Sequence, residues 1–360
     1  MKKRILSLVL TLALAFSLAV PAMAISPDLE APYKAKIKSE APKWGSCIQL
    51  VDFDLDGSPE LVMGGLPGSG LFSIFEDVWS YENGVFVEKN VSDYDKLSID
   101  GYDLYRNNTT GAYRIEGSYT LRAGRGHHSS VTAYYTMYND TVKVTNAFVE
   151  ETVGTTYSYY VNGSKVTKSK YNSAYNARNN GWSKVWSYDF SQYMSPYTNA
   201  GKPSNADIQK LFDDYKGSPA LAVYSTHKIT VDDAPVGLTA YNINGNNYFK
   251  LRDLAALLNG TQAQFQVGWN DAARTIILTT DAAYTAVGGE LAKGSSLNQF
   301  GVSTDAGIYV DGAPADLGAY NINDNNYFKL RDLGKVLGFN VGWDDATHTV
   351  SIMTDQPYSE

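Results

Sequence analysis

Tyr241-Asn-Ile-Asn-Gly-Asn-Asn-Tyr-Phe-Lys-Leu-Arg-Asp-Leu254 returns almost unchanged as Tyr320-Asn-Ile-Asn-Asp-Asn-Asn-Tyr-Phe-Lys-Leu-Arg-Asp-Leu333. A stretch written twice points to a structural unit built twice. A β-like run precedes each copy, Lys228 to Val231 and Ile308 to Val310. After each copy come Phe-x-Val-Gly-Trp, a polar turn (Asn270-Asp271; Asp344-Asp345) and a β-branched run (Thr275 to Thr279; Thr349 to Ile352). The unit reads strand, turn, strand, helix, strand, turn, strand.

Leu251, Leu254, Ala255 and Leu258 fall at i, i+3, i+4 and i+7, with Lys250, Arg252 and Asp253 on the other face; the spacing predicts a helix over Tyr248 to Leu258. Leu330, Leu333 and Leu337 repeat the stripe. Asn246 and Asn247, like Asn325 and Asn326, stand where they can cap the helix start. Phe265, Val267 and Trp269 alternate, so they share one strand face. That face and the leucine stripe are expected to form a small core, at about 1.5–3 kcal/mol per buried large side chain. Copy 1 inserts Asn259-Gly-Thr-Gln-Ala-Gln264 where copy 2 has only Gly338, a change suited to a surface loop. A unit of about 50 residues buries little on its own, so the two are expected to pack on one another.

The repeated block, its downstream Val-Gly-Trp and its closing Thr-Ile/Val run resemble the copper amine oxidase N-terminal-like (stalk) domain of secreted and cell-surface proteins of Gram-positive bacteria. The match covers residues 226–280 and 305–354. The resemblance implies a small antiparallel sheet curled around one helix and does not imply oxidase chemistry; since such domains can pair, self-association through the repeats in an assembly role is a third possibility. The enzyme that names the family makes its quinone from a tyrosine in an Asn-Tyr-Asp/Glu setting and binds copper through three histidines, all in a different domain. Here Asn247-Tyr248 and Asn326-Tyr327 run into Phe, and His127, His128, His227 and His348 show no His-x-His spacing. Neither copper nor quinone is expected.

Met1-Lys-Lys-Arg4, the apolar run Ile5 to Val20 and the Ala22-Met23-Ala24 site read as a signal peptide over residues 1–24. Secretion is expected, with the protein extracellular or held on the cell wall. No later stretch is long and apolar enough to span a bilayer, so no membrane span is expected after cleavage. Cleavage leaves 27 basic against 38 acidic residues, a net charge of −11. That balance disfavours nucleic acid or an anionic membrane as partner. The single cysteine, Cys47, cannot form an internal disulfide and reads as an apolar residue. Leu66-Pro-Gly-Ser-Gly70 is faintly like a sortase signal but lacks a hydrophobic, basic tail, and reads as a loop.

Val51-Asp-Phe-Asp-Leu-Asp-Gly-Ser-Pro-Glu-Leu-Val62 is the second informative stretch. Asp52, Asp54 and Asp56 alternate ahead of Gly57, with Glu60 three residues on. Ca²⁺ takes several oxygen ligands around a tight loop, and glycine in sixth place permits the turn. An EF-hand would need a bidentate Glu in twelfth place, which here is Met63. The pattern resembles instead the short Asp-x-Asp-x-Asp-Gly calcium loops between strands of secreted β-rich proteins. The four acids are the candidate metal ligands, with calcium the expected cofactor. An acidic hairpin turn using Asp-Gly for its conformation is the alternative.

From Leu71 to Val166, turn signals such as Glu82-Asn-Gly84 and Asn162-Gly163 separate strand-like runs: Phe72 to Tyr81, Tyr113 to Leu121, Ser130 to Tyr138, Thr141 to Phe148 and Thr155 to Val161. Lys168 to Asn179 and Asn205 to Tyr215 read as helices, and Lys216-Gly-Ser-Pro219 as the joint to the repeats. Tyr134, Tyr135, Tyr138, Tyr157, Tyr159 and Tyr160 either line a sugar-binding face or pack half-buried, as sheet tyrosines commonly do. His127 and His128, adjacent on a strand, point to opposite faces and make a poor metal pair. No Gly-x-Ser-x-Gly or His-Glu-x-x-His occurs, and Glu150 and Glu151 face apart.

The expected fold is α+β, mainly antiparallel β: a β-meander module over 25–200 with the Asp-rich loop, a helix and linker over 201–225, repeat 1 over 226–280, a linker over 281–304 and repeat 2 over 305–354. Each repeat is a small sheet packed on one helix. The expected function is a noncatalytic cell-surface or wall-associated protein whose repeats serve as spacer or docking platform for wall polysaccharide or a surface protein. The alternative is a secreted hydrolase of wall glycan or peptide working through the N-terminal module.

Overall fold

Type I′ turns set much of the topology, because their left-handed residues match the twist of paired strands. Asn83-Gly84, Asn162-Gly163 and Asn244-Gly245 all sit at positive φ, as do Asn323 and Asp324, which repeat the last turn without glycine. The structure, a computed structural model, describes residues 27–44, 47–65, 74–92, 101–123, 126–138, 140–188, 203–215 and 217–359. The expected signal peptide and the Leu66–Gly70 loop lie outside the described residues, as do the side chains of Cys47 and Tyr138.

The N-terminal module opens with α1 (Pro27–Trp44), followed by β1 (Cys47–Val51), β2 (Glu60–Gly65), β3 (Ile74–Glu82), β4 (Val85–Val91), β5 (Tyr102–Asn107) and β6 (Tyr113–Ala123). It continues through β7 (His127–Tyr138), β8 (Thr141–Val153), β9 (Thr156–Val161), β10 (Ser164–Val166), α2 (Lys168–Ala177), β11 (Trp182–Tyr188) and α3 (Asn205–Asp214). The strands form one sheet in the order β1-β2-β3-β4-β8-β7-β6-β5-β11, with β9 also on β8 and β10 on β9. Neighbours run antiparallel except for the short β4–β8 pairing, Asn90 opposite Thr141 and Val91 opposite Val142. Helix α3 starts on a capping box, in which Ser204 and Asp207 each satisfy the other's backbone N–H. With α1 it covers β1 to β3, burying Tyr33, Ile37, Leu50, Leu61, Trp79 and Phe212.

The C-terminal half contains β12 (Ala220–Tyr224), β13 (Lys228–Val231), β14 (Ala234–Pro235), β15 (Ala240–Ile243), β16 (Asn246–Lys250), α4 (Leu251–Leu258), β17 (Phe265–Asn270) and β18 (Thr275–Thr280). Then come β19 (Gln299–Ser303), β20 (Gly307–Val310), β21 (Ala313–Pro314), β22 (Ala319–Ile322), β23 (Asn325–Lys329), α5 (Leu330–Leu337), β24 (Asn340–Asp344) and β25 (Thr349–Met353). Strands β12-β15-β16-β23-β22-β19 close a barrel. Across its centre β16 of the first repeat meets β23 of the second, Phe249 opposite Phe328. Two stretches read from sequence as linkers, 201–225 and 281–304, therefore each supply a barrel strand.

The outer sheets exchange strands between repeats. β13 of the first lies parallel to β25 of the second, and β20 of the second parallel to β18 of the first. One core results: Leu251, Leu254, Leu258, Phe265, Ile276, Leu330, Leu333, Phe339 and Ile352 belong to a single buried cluster. The expectation that the repeats pack together is met by interleaving.

The helix start expected at Tyr248 is corrected to Leu251, and that expected from the second copy moves likewise to Leu330. Asn246–Lys250 instead pairs with Ala240–Ile243, because the Asn244-Gly245 turn folds it back and its aromatics fill the barrel and core. The helix boundary is Lys250, with no side-chain cap, so Asn246 and Asn247 do not cap α4.

Candidate functional site

Between β1 and β2 the chain must turn within Asp52 to Pro59, and it does so with Leu55 at φ 61° and Gly57 at φ 90°. The loop folds around its own acids. Asp52 Oδ1 accepts the Asp56 N–H at 3.1 Å and Asp52 Oδ2 the Gly57 N–H at 2.8 Å. Glu60 Oε2 accepts the Phe53 N–H at 2.8 Å, while its Oε1 accepts the Ser80 hydroxyl at 2.7 Å.

Carboxylate oxygens of Asp52, Asp54 and Glu60 lie within 4.8 Å of one another. Two oxygens on one Ca²⁺ stand at most about 5 Å apart, given Ca–O distances of about 2.3–2.6 Å, so the three suit a single ion. Asp56, the fourth acid of the expected set, accepts the Ser58 N–H at 2.7 Å and is not among the three whose oxygens converge.

Electrostatically the cluster is under-compensated. Asp52 and Glu60 are 0% and 1% exposed. Among the described residues neither pairs with a lysine or arginine. Burial, with the neighbouring Asp54 charge adding to it, holds both carboxyls well above the usual range in spite of their hydrogen bonds. Burial first and Asp54 second push Asp56 up to about 6. A buried acid in this state is neutralised by a proton or by a cation.

The loop also forms the seam with the barrel. The Ser218 hydroxyl donates to Asp52 Oδ2 at 2.6 Å, Leu221 N–H to Leu55 O at 2.9 Å, and the Asn244 amide to Asp56 O. Nearby, Arg106 Nε donates to Asn298 O at 2.7 Å, and Tyr113 meets Phe300 edge-on at 6.2 Å. Ser218, Ser80 and Tyr188, which touches the Asp52 carbonyl at 3.5 Å, were not singled out from sequence. They reach the loop only through the fold, so local spacing carries no signal for them.

No family model, curated protein or solved structure matches the chain. The other residues singled out from sequence have local roles. His127 Nε2 lies 2.9 Å from Glu151, and His128 is exposed on the next position of β7. Tyr135 is fully buried, Tyr159 packs on Tyr171, and Tyr134 lies under Arg114 at 4.4 Å; Tyr157 is 57% exposed. Among the described residues, buried Tyr135 and Tyr159 keep these tyrosines from forming one open face. No described helix is long and apolar enough to cross a membrane.

Proposed function

We propose that the protein is a secreted, noncatalytic cell-surface component in which a calcium ion held by Asp52, Asp54 and Glu60 locks the N-terminal module onto a tandem-repeat platform. The observation that carries this reading is the convergence of three carboxylates, two sealed from water without a basic partner, in the loop that also touches Ser218, Leu221 and Asn244. Each of the three carboxylates keeps lone-pair capacity after its hydrogen bonds, for Asp52 on Oδ1, which a hard cation can use. The repeats, similar in sequence to stalk domains, act as spacer and docking platform for wall material.

Noncatalytic action is favoured by the burial itself. A general acid or base must touch its substrate, and the two acids with the most strongly raised pKa are closed over by the loop and by Ser80 and Ser218. Calorimetric titration of calcium-stripped protein is expected to give a saturable heat and a higher melting temperature; no heat and no rise with millimolar calcium would remove the metal from the proposal. Incubated with purified cell walls, the protein is expected to sediment and leave them unaltered, whereas release of soluble fragments would make it a hydrolase.

A further inference from the structure

The interleaved repeats leave a cleft of about 370 Å³ on the second one, at the lower end of the range for small-molecule sites, about 300–1,000 Å³. One wall is the β15–β16 hairpin of the first repeat, with Asn242, Asn246 and Asn247. The other is the start of α5, with Lys329 and Arg331, and Trp343 and His227 close the floor. Trp343 is 41% exposed, with its indole 4.8 Å from the His227 ring, which in turn stacks on His348 at 6.5 Å.

Part of the polar capacity in this cleft is unused, although Lys329 pairs with Asp332 at 3.7 Å and Asn242 and Asn246 bond within their own turn. Asn247 Oδ1 and His227 Nδ1 are buried without a partner, and Arg331 is exposed and makes no ion pair among the described residues. No carboxylate is among the lining residues.

The corresponding place on the first repeat differs. It is smaller, about 160 Å³, and Asp324 stands where the larger cleft has Gly245. Arg252 there donates to the Tyr284 hydroxyl at 3.4 Å, and Lys250 to the Gly289 carbonyl at 2.9 Å. The Trp269 Nε1–H is tied to Asp271 at 2.6 Å. The motif arginine and tryptophan are thus tied down in one repeat and open in the other, while the motif lysine pairs with its own helix aspartate in both.

We infer that the cleft of the second repeat binds an anionic sugar unit, its ring lying on Trp343 and its carboxylate or phosphate held by Arg331. An exposed indole covers the apolar face of a pyranose. Amide side chains offer donor and acceptor together, which suits neighbouring hydroxyls. A free guanidinium grips a carboxylate or phosphate through two parallel hydrogen bonds. The inference rests on the cell-surface reading above and names the class of wall material the platform engages.

The test uses the full chain, followed by tryptophan fluorescence and calorimetry. The probes are a trigalacturonate, glucose 1-phosphate, neutral maltotriose and AMP. Saturable binding of one of the two anionic sugars is expected, weakening with added salt, and the arm that binds tells carboxylate from phosphate. Trp343→Ala and Arg331→Gln should each weaken it about tenfold or more. Trp269→Ala, in the self-satisfied cleft, should leave it within about twofold. Arg331 is exposed, so its variant is expected to keep the wild-type melt and remains informative if Trp343→Ala unfolds. Absence of binding, equal binding of maltotriose, tighter binding of AMP, or indifference to Arg331→Gln would each overturn the inference. Sedimentation with walls runs in parallel: protein that sediments but binds neither anionic sugar loses this inference alone, and protein that does neither loses the cell-surface reading as well.

Discussion

Asp54 is the most informative residue of the acidic loop, because it is exposed and accepts only the Asp56 N–H, at 3.2 Å. Asp54→Asn is therefore expected to leave metal-free stability unchanged or slightly raised, since it removes a charge that opposes ionised Asp52, Asp56 and Glu60. It should weaken calcium binding about tenfold, read by calorimetry. For the wild type, extracellular calcium sites have Kd of about 0.1–1 mM. Calcium at 10 mM should then add about 1.4–2.7 kcal/mol, a rise of several degrees in melting temperature.

The pH dependence has a fixed sign. A carboxyl whose folded pKa lies above its unfolded value near 4 lets the folded state bind more protons than the unfolded one. Metal-free protein should accordingly lose stability as pH rises from about 4 toward the Asp56 value of about 6. Since calcium needs the deprotonated acids, the calcium-induced rise in melting temperature should be smaller at pH 5 than at pH 7.5. Thermal melts at the two pH values, with calcium and with chelator, read both effects. At this scale the sequence was legible where the acids are close in the chain: Asp52, Asp54 and Glu60 bring oxygens within 4.8 Å of one another. Asp56 stands apart from them because its carboxylate accepts the Ser58 N–H, a direction set by the turn and not shown by spacing.

The two motif helices show how an element adapts to its ending. Helix α5 stops at Gly338, at φ 82°, whose N–H returns to Gly334 O at 2.9 Å, and the Phe339 N–H reaches the same carbonyl at 3.1 Å. That sharp return presses Phe339 onto the helix, so a Cβ on Gly334 would lie 2.8 Å from Phe339 O and 3.1 Å from Val341 Cγ2. In α4 the corresponding residue is Ala255, fully buried, and the chain leaves through the six-residue insertion instead. Gly334→Ala is therefore expected to lower stability by about 1–3 kcal/mol, outweighing the gain in helix propensity of about 1 kcal/mol. Denaturant melts of the variant and of the wild type decide it. The leucine stripe gave both helices correctly from their period. Their starts were placed too early because Tyr248 and Phe249 suit a strand as well as a helix, and only the pairing with Ala240–Ile243 decides between them.

Across the whole molecule, neither repeat owns a complete sheet. The β24–β25 hairpin takes β13 from the other repeat, and β17–β18 takes β20. A fragment of residues 305–354 is expected to show no cooperative melt, while residues 217–359 should melt in a single transition, as circular dichroism would show. Sequence could announce two units because their residues repeat. It could not announce the exchange, since pairing across the repeats, Lys228 with Thr349 and Thr275 with Gly307, leaves no periodic mark on the chain. For the same reason Ala220–Tyr224 and Gln299–Ser303 read as connections until the barrel gave them neighbours.

Exchange of the outer strands also has a mechanical side. β13 and β25 run parallel with Lys228 beside Thr349 and Val231 beside Ile352, one near the start of the tandem and the other at its end. Tension applied along the chain would draw the start of one and the finish of the other in opposite directions, loading their hydrogen bonds together and not one after another. Single-molecule pulling should find one high rupture force for the pair in place of two low ones.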